Sequence, residues 1–188
     1  MVWRLTCRVL AVLLMALPLR ADPVPLLTDL PKGLQQTLQK RPELFLNDLA
    51  TIIVGYGQGG EIDRSGIDIF IALQRADARA YHMRLFLRAD LDWDGSVSRR
   101  ELHAVQATSS ARQRGRMELA FRRADTDADD QVSNKELRAY AELRAMDRLT
   151  GAEAEELYGM LVFDLDDSGT VTLEEAIRAI DLLQSDAT

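Results

Sequence analysis

Asp90-Leu-Asp-Trp-Asp-Gly-Ser-Val-Ser-Arg-Arg-Glu101 is the stretch that decides the fold, because the chain repeats its grammar twice more. Asp125-Thr-Asp-Ala-Asp-Asp-Gln-Val-Ser-Asn-Lys-Glu136 and Asp164-Leu-Asp-Asp-Ser-Gly-Thr-Val-Thr-Leu-Glu-Glu175 again place acids at alternate early positions, valine at position 8 and glutamate at position 12. Apolar stripes flank these runs. Met117, Ala120, Phe121 and Ala124 follow the i, i+3, i+4, i+7 spacing of an amphipathic helix before the second run, and Ala176, Ala179, Ile180 and Leu183 follow it after the third. Thr150 with Glu153 has the spacing of a capping box for the helix leading into Asp164. One acidic run is explained by an exposed surface loop. Three in one register, each between helical stripes, form a repeated device.

The three segments resemble the EF-hand family, in its calmodulin-like form with several hands, and the resemblance covers each 12-residue loop with its flanking helices. It implies calcium, a hard cation that takes six to eight oxygens at ~2.3–2.6 Å from loop positions 1, 3, 5, 7 and 9 and a bidentate Glu at 12. Carried onto this chain, positions 1, 3 and 5 are Asp90, Asp92 and Asp94; Asp125, Asp127 and Asp129; and Asp164, Asp166 and Ser168. Position 7, acting through its carbonyl, is Ser96, Gln131 and Thr170, and position 9, expected to hold a water, is Ser98, Ser133 and Thr172. Glu101, Glu136 and Glu175 close the three sites. The loops are not equal. Loop 125–136 has Asp130 at position 6, where the turn favours glycine, and loop 164–175 loses one ligand charge at Ser168. Loop 90–101 has neither fault and is expected to bind tightest. Rare-earth binders of the lanmodulin kind typically carry proline at position 2, whereas this chain has Leu91, Thr126 and Leu165.

Thirty-five residues before Asp90, the spacing of the first two loops, stands Gly55-Tyr-Gly-Gln-Gly-Gly-Glu-Ile-Asp-Arg-Ser-Gly66. In the same register Gly60 falls at position 6 and Ile62 at position 8, but positions 1, 3, 5 and 12 are all glycine. The frame persists without side-chain ligands, so residues 55–66 read as a degenerate, metal-free hand. Two other readings exist. Gly55, Gly57 and Gly60 after Thr51–Val54 match a dinucleotide fingerprint, with Asp77 as its acid, though the remaining sequence offers no further strands for a parallel sheet. A flexible glycine loop of neither ancestry is the third.

The resulting expectation is an all-α fold of four hands in two pairs, with residues 42–108 as the first pair and 109–188 as the second. Position 8 residues should then bridge as Ile62 with Val97 and Val132 with Val171. Residues 22–41, with Pro23, Pro25 and Pro31, read as an extended lead-in with a short helix near Leu34–Gln39. Residues 1–21 read as a signal peptide: Arg4 and Arg8 flank the apolar run Val9–Leu19, which is too short to span a membrane. This implies a periplasmic or secreted protein with no transmembrane segment after cleavage.

Composition narrows the alternatives. The 188 residues carry 23 bases and 30 acids, a net charge of −7 that argues against a nucleic-acid binder and suits a cation binder. Residues 1–21 hold three arginines, no acid and the single cysteine, Cys7, so the remaining chain has a net charge of −10. His82 and His103 are the only histidines, which excludes zinc sites built from Cys and His. No phosphate-binding or nucleophile-elbow motif occurs, and an enzyme is not expected. The basic cluster Arg112, Arg114 and Arg116 reads as a solvated face, with an acidic partner or membrane contact as the alternative. The function expected from the resemblance is a calcium-responsive module that engages a protein or peptide partner in its calcium form. A structural or buffering calcium protein without a switch is the alternative.

Overall fold

The computed structural model describes residues 30–185; the expected signal peptide lies outside them. The fold is mostly helical, with eight α-helices, one 3-10 turn and four two-residue strands among the described residues. In chain order these are α1 (Lys32–Lys40), α2 (Pro42–Tyr56), β1 (Glu61–Ile62), α3 (Arg64–Leu87), β2 (Val97–Ser98), α4 (Arg99–Ala107) and α5 (Ala111–Ala124). Then follow β3 (Gln131–Val132), α6 (Asn134–Arg148), α7 (Gly151–Gly159), the 3-10 turn (Met160–Phe163), β4 (Val171–Thr172) and α8 (Leu173–Ser185). Among the described residues no helix is long and apolar enough to cross a membrane.

Local chemistry sets the boundaries. Pro42 opens α2, where its missing N–H costs nothing. The side chains of Asp63, Ser98, Ser110, Ser133 and Thr150 accept from backbone N–H groups in the first turns of α3, α4, α5, α6 and α7. The Thr150–Glu153 capping box forms, and so does the apolar stripe of Met117, Ala120, Phe121 and Ala124. The short helix expected near Leu34–Gln39 is present as α1. Leu30, Leu34 and Leu38 are all buried, the last two on α1.

Strand pairing departs from the expected order. β1 pairs antiparallel with β4, Ile62 opposite Val171, and β2 pairs antiparallel with β3, Val97 opposite Val132. Position 8 does meet position 8, but the partners are first with fourth and second with third. The reason lies in α3. This helix runs unbroken for 24 residues from the first loop to the second, about 36 Å at 1.5 Å per residue. It carries the two loops to opposite ends instead of folding one back on the other.

The cores follow the same nesting. One joins Leu34, Phe45, Leu49, Ile53, Ile62 and Ile67 from the N-terminal side with Phe163, Val171, Ala176 and Ile180 from the C-terminal side. The other joins Phe86, Val97 and Leu102 with Met117, Phe121, Val132 and Tyr140. The expected division between residues 108 and 109 therefore falls inside the second core. Helices α3 and α6 link the two cores in antiparallel fashion. Arg75 donates to the Leu149 carbonyl at 3.2 Å, Arg79 pairs with Glu142 at 3.2 Å, and the His82 and Phe86 rings both meet Tyr140 edge-on.

Candidate metal centres

Each acidic run forms a tight loop between two helices, and the backbone explains its residue types. Positions 4 and 6 take positive φ in all three loops: Trp93 (64°) and Gly95 (84°), Ala128 (59°) and Asp130 (63°), Asp167 (57°) and Gly169 (86°). Asp130 thus occupies the left-handed conformation that glycine takes in the other two loops, at a cost of roughly 1 kcal/mol or less. The position 1 carboxylates fold inward over this turn. Asp90 accepts from Gly95 N at 3.2 Å, Asp125 from Asp129 N at 3.2 Å and Asp164 from Gly169 N at 2.8 Å.

Three carboxylate groups converge within 4.8 Å of one another in each loop: Asp90, Asp92 and Asp94; Asp125, Asp127 and Glu136; Asp164, Asp166 and Glu175. Glu101 and Asp129 lie in the loops but outside these trios. Ser96, Gln131, Ser168 and Thr170 also lie in the loops, and Ser168 donates to Asp164. Three like charges so close repel by ~1 kcal/mol per pair even at the permittivity of water. A multivalent cation reverses that sign, so each group can hold a metal ion.

A single orphaned atom points the same way. Asp90 Oδ1 is buried and has no hydrogen-bond partner among the described residues. A buried carboxylate oxygen left unmatched is costly, and a coordinated cation is the counterpart its chemistry fits.

The position 12 glutamates clasp the loops shut. Glu101 Oε1 accepts from Leu91 N at 2.8 Å while Oε2 accepts from Ser98 N and Ser98 Oγ at 2.8 and 2.7 Å. Glu136 repeats this with Thr126 and Ser133, and Glu175 with Leu165 and Thr172. Positions 9 and 12 are therefore a capping box, in which the hydroxyls of Ser98, Ser133 and Thr172 also serve their own helix starts. The backbone donors at Thr126 and Ser133, against the opposing pull of burial, hold the Glu136 carboxyl down to about 2 from the usual value near 4.5. A lowered folded value stabilises fully above the unfolded value and is lost as pH falls through the folded one. Without calcium, stability contributed by Glu136 should be whole above about pH 5 and decline toward pH 2. Urea unfolding at pH 5 and pH 3 is expected to show a larger loss for the unsubstituted protein than for Glu136→Gln.

Residues 55–66 are built differently. Gln58 and Glu61 exchange backbone hydrogen bonds of 2.9 and 3.1 Å across Gly59 and Gly60, whose φ values are 65° and 90°. This is a two-residue hairpin turn of the kind two adjacent positive-φ glycines allow. Each of the Gln58 and Glu61 carbonyls is thereby taken up by the other residue's backbone N–H. A Cβ on Gly57 would lie 2.2 Å from the Glu61 carbonyl oxygen, so the close approach requires glycine there. No acidic trio forms in this loop among the described residues. Thr51–Val54, the strand a dinucleotide fingerprint would need, is helical within α2.

The sequence reading missed the residues that tie loops together. Arg99 donates its backbone N–H to the Asp130 carbonyl at 2.9 Å and its Nε to the Asp130 carboxylate at 3.1 Å. Its Nη1 meets Glu118 at 3.1 Å, and the guanidinium lies 4.2 Å from the centre of the Phe121 ring. Arg99 thus holds the strained position 6 of the neighbouring loop. In the other loop pair Thr170 Oγ1 donates to Glu61 at 2.9 Å. No local pattern marks either residue, because both contacts depend on which loops pair. His103 is exposed on α4, and His82 is half-buried against Tyr140.

In comparisons with known proteins, no family model, curated protein or solved structure matches the chain.

Proposed function

We propose that this chain is an exported EF-hand calcium-binding protein with three calcium loops and one metal-free loop, acting as a calcium-responsive binding module rather than an enzyme. The observation that carries the reading is the orphaned Asp90 Oδ1 inside a converging carboxylate trio, in a loop geometry repeated twice more. Calcium is favoured over other cations by the donor set, which is oxygen only and rich in carboxylates. Three calcium ions would take the chain beyond residue 21 from −10 to −4, relieving self-repulsion.

The nested pairing divides the labour. Loops 90–101 and 125–136, both acidic, share the inner core, so calcium acts there on both halves at once. Loop 164–175 is paired with the loop that carries its own hairpin, and Glu175 is buried beside a core already closed around Phe45 and Phe163. That half suits a structural ion and the inner half a switch. An apolar dye is expected to bind the calcium form and not the calcium-free form at matched ionic strength. Equal dye binding in both would reject the switch and leave a structural or buffering role.

A further inference from the structure

A strongly basic hollow lies among the described residues of this acidic chain, and none of the three acidic loops contributes to it. A cleft of about 610 Å³ lies between α3 and α5 and is floored by α6. Six arginines line it: Arg84 from α3 and Arg88 just past its end, Arg112, Arg116 and Arg123 from α5, and Arg144 from α6. No acidic residue is among its lining residues. Arg88, Arg112, Arg116 and Arg123 make no ion pair among the described residues. Arg144 is paired with Asp147 at 2.6 Å, and Glu118 of α5 is engaged by Arg99 and Arg122. Arg144 Nε is buried without a hydrogen-bond partner. Apolar surface accompanies the charge, from the exposed Leu119 and Tyr81 and the half-buried Leu85.

We propose that this cleft is a docking groove for an acidic amphipathic segment of a partner protein, whose carboxylates meet the arginines while its apolar face meets Leu119 and Tyr81. The charge argument is direct. Four unpaired guanidiniums around one hollow repel one another, and each offers a bidentate fork matched to carboxylate. Shape selects a segment over a surface. The hollow is concave, and a second one of about 350 Å³, lined by Asp77 and Arg148 among others, shares Tyr81 and His82 with it and extends along α3, giving a groove of the sort that receives a helix, its charge concentrated in the first hollow. The remainder of the chain is acidic, so extended anionic surfaces such as lipid bilayers and nucleic acids are repelled outside the cleft. The arginines lie outside residues 90–101, 125–136 and 164–175, so the groove stands independently of whether those loops take calcium.

The test uses a fluorescein-labelled helical peptide of about 18 residues, with Leu at i, i+3, i+4, i+7 and Glu elsewhere, measured by anisotropy with calcium and with EGTA. Arginine-dependent capture in either condition supports the proposal. A peptide with Gln in place of Glu is expected to bind at least tenfold more weakly. The double variant Arg116→Glu/Arg123→Glu should lose binding by more than tenfold, whereas Arg138→Glu, an exposed α6 arginine outside the cleft, should change it less than threefold. Far-UV circular dichroism confirms that the variants are folded, both cleft substitutions being at exposed positions. Equal affinity for the Glu and Gln peptides overturns the proposal, as does insensitivity to the double variant. It is equally overturned if arginine-dependent binding appears only to phosphatidylserine vesicles or to single-stranded oligonucleotide. A dimer in sedimentation equilibrium that Arg116→Glu/Arg123→Glu dissolves, without peptide binding, would assign the groove to a second copy of the chain and overturn it too.

Discussion

Phe163→Ala is expected to destabilise the protein by about 3–5 kcal/mol, the usual cost of emptying a fully buried aromatic site. Its ring is completely buried and packs edge-on against Phe45 at 5.5 Å, joining the turn before loop 164–175 to helix α2. The location of the damage is as informative as its size. Because the cores are nested, amide exchange should rise in α1, α2, α7 and α8 and much less in α5, whose Phe121 and Met117 belong to the other core. Pairing of consecutive loops would instead spread the loss through residues 109–188 and spare α2.

Glu101→Gln should weaken calcium binding at loop 90–101 by at least about tenfold, or ~1.4 kcal/mol. The substitution removes one of the loop's four carboxylate charges, and affinity in such loops follows ligand charge. It also replaces an acceptor of three hydrogen bonds, from Leu91 N, Ser98 N and Ser98 Oγ. Trp93 reports on this site. It sits at position 4 of the loop, 89% exposed, and is the sole tryptophan after residue 21. In a calcium titration its fluorescence should move early, since this loop keeps Gly95 and all four charges, and Glu101→Gln should abolish that early phase. A Trp93 signal that moves only after the other loops have filled would reverse the ranking, which otherwise places 125–136 lower for Asp130 and 164–175 lower for Ser168.

What the sequence made legible is what local chemistry determines. The capping serines and threonines, the alternating acids, the position 6 glycines and the helix stripes all act within a turn or two, and each formed where its residues stand. Asp130 was readable too, because only a positive φ fits that point of the loop. Pairing was not. Ile62, Val97, Val132 and Val171 are nearly interchangeable β-branched residues, so no strand names its partner. The choice belongs to the connectors. Between Gly66 and Gly95 the chain has no glycine or proline, and α3 runs straight through. Between Leu102 and Phe121 the helix ends at Ala107 and restarts behind the Ser110 cap, which folds the second loop onto the third. The Arg99 and Glu61 contacts depend on that choice and were invisible for the same reason. The arginines of the cleft were partly legible. Arg112 and Arg116 stood out as a cluster, but only the packing of α3, α5 and α6 brings Arg84, Arg88, Arg123 and Arg144 beside them.

The central claim is that three loops hold calcium and residues 55–66 do not. Native mass spectrometry of the protein beyond residue 21, exchanged into volatile buffer with a modest calcium excess, counts the ions directly. Three bound calcium ions are expected, falling to two at the same calcium concentration when Asp90 and Glu101 are both replaced, Asp90→Asn with Glu101→Gln. A fourth tightly held ion would contradict the metal-free hairpin, and a protein that stays unloaded would contradict the calcium reading itself.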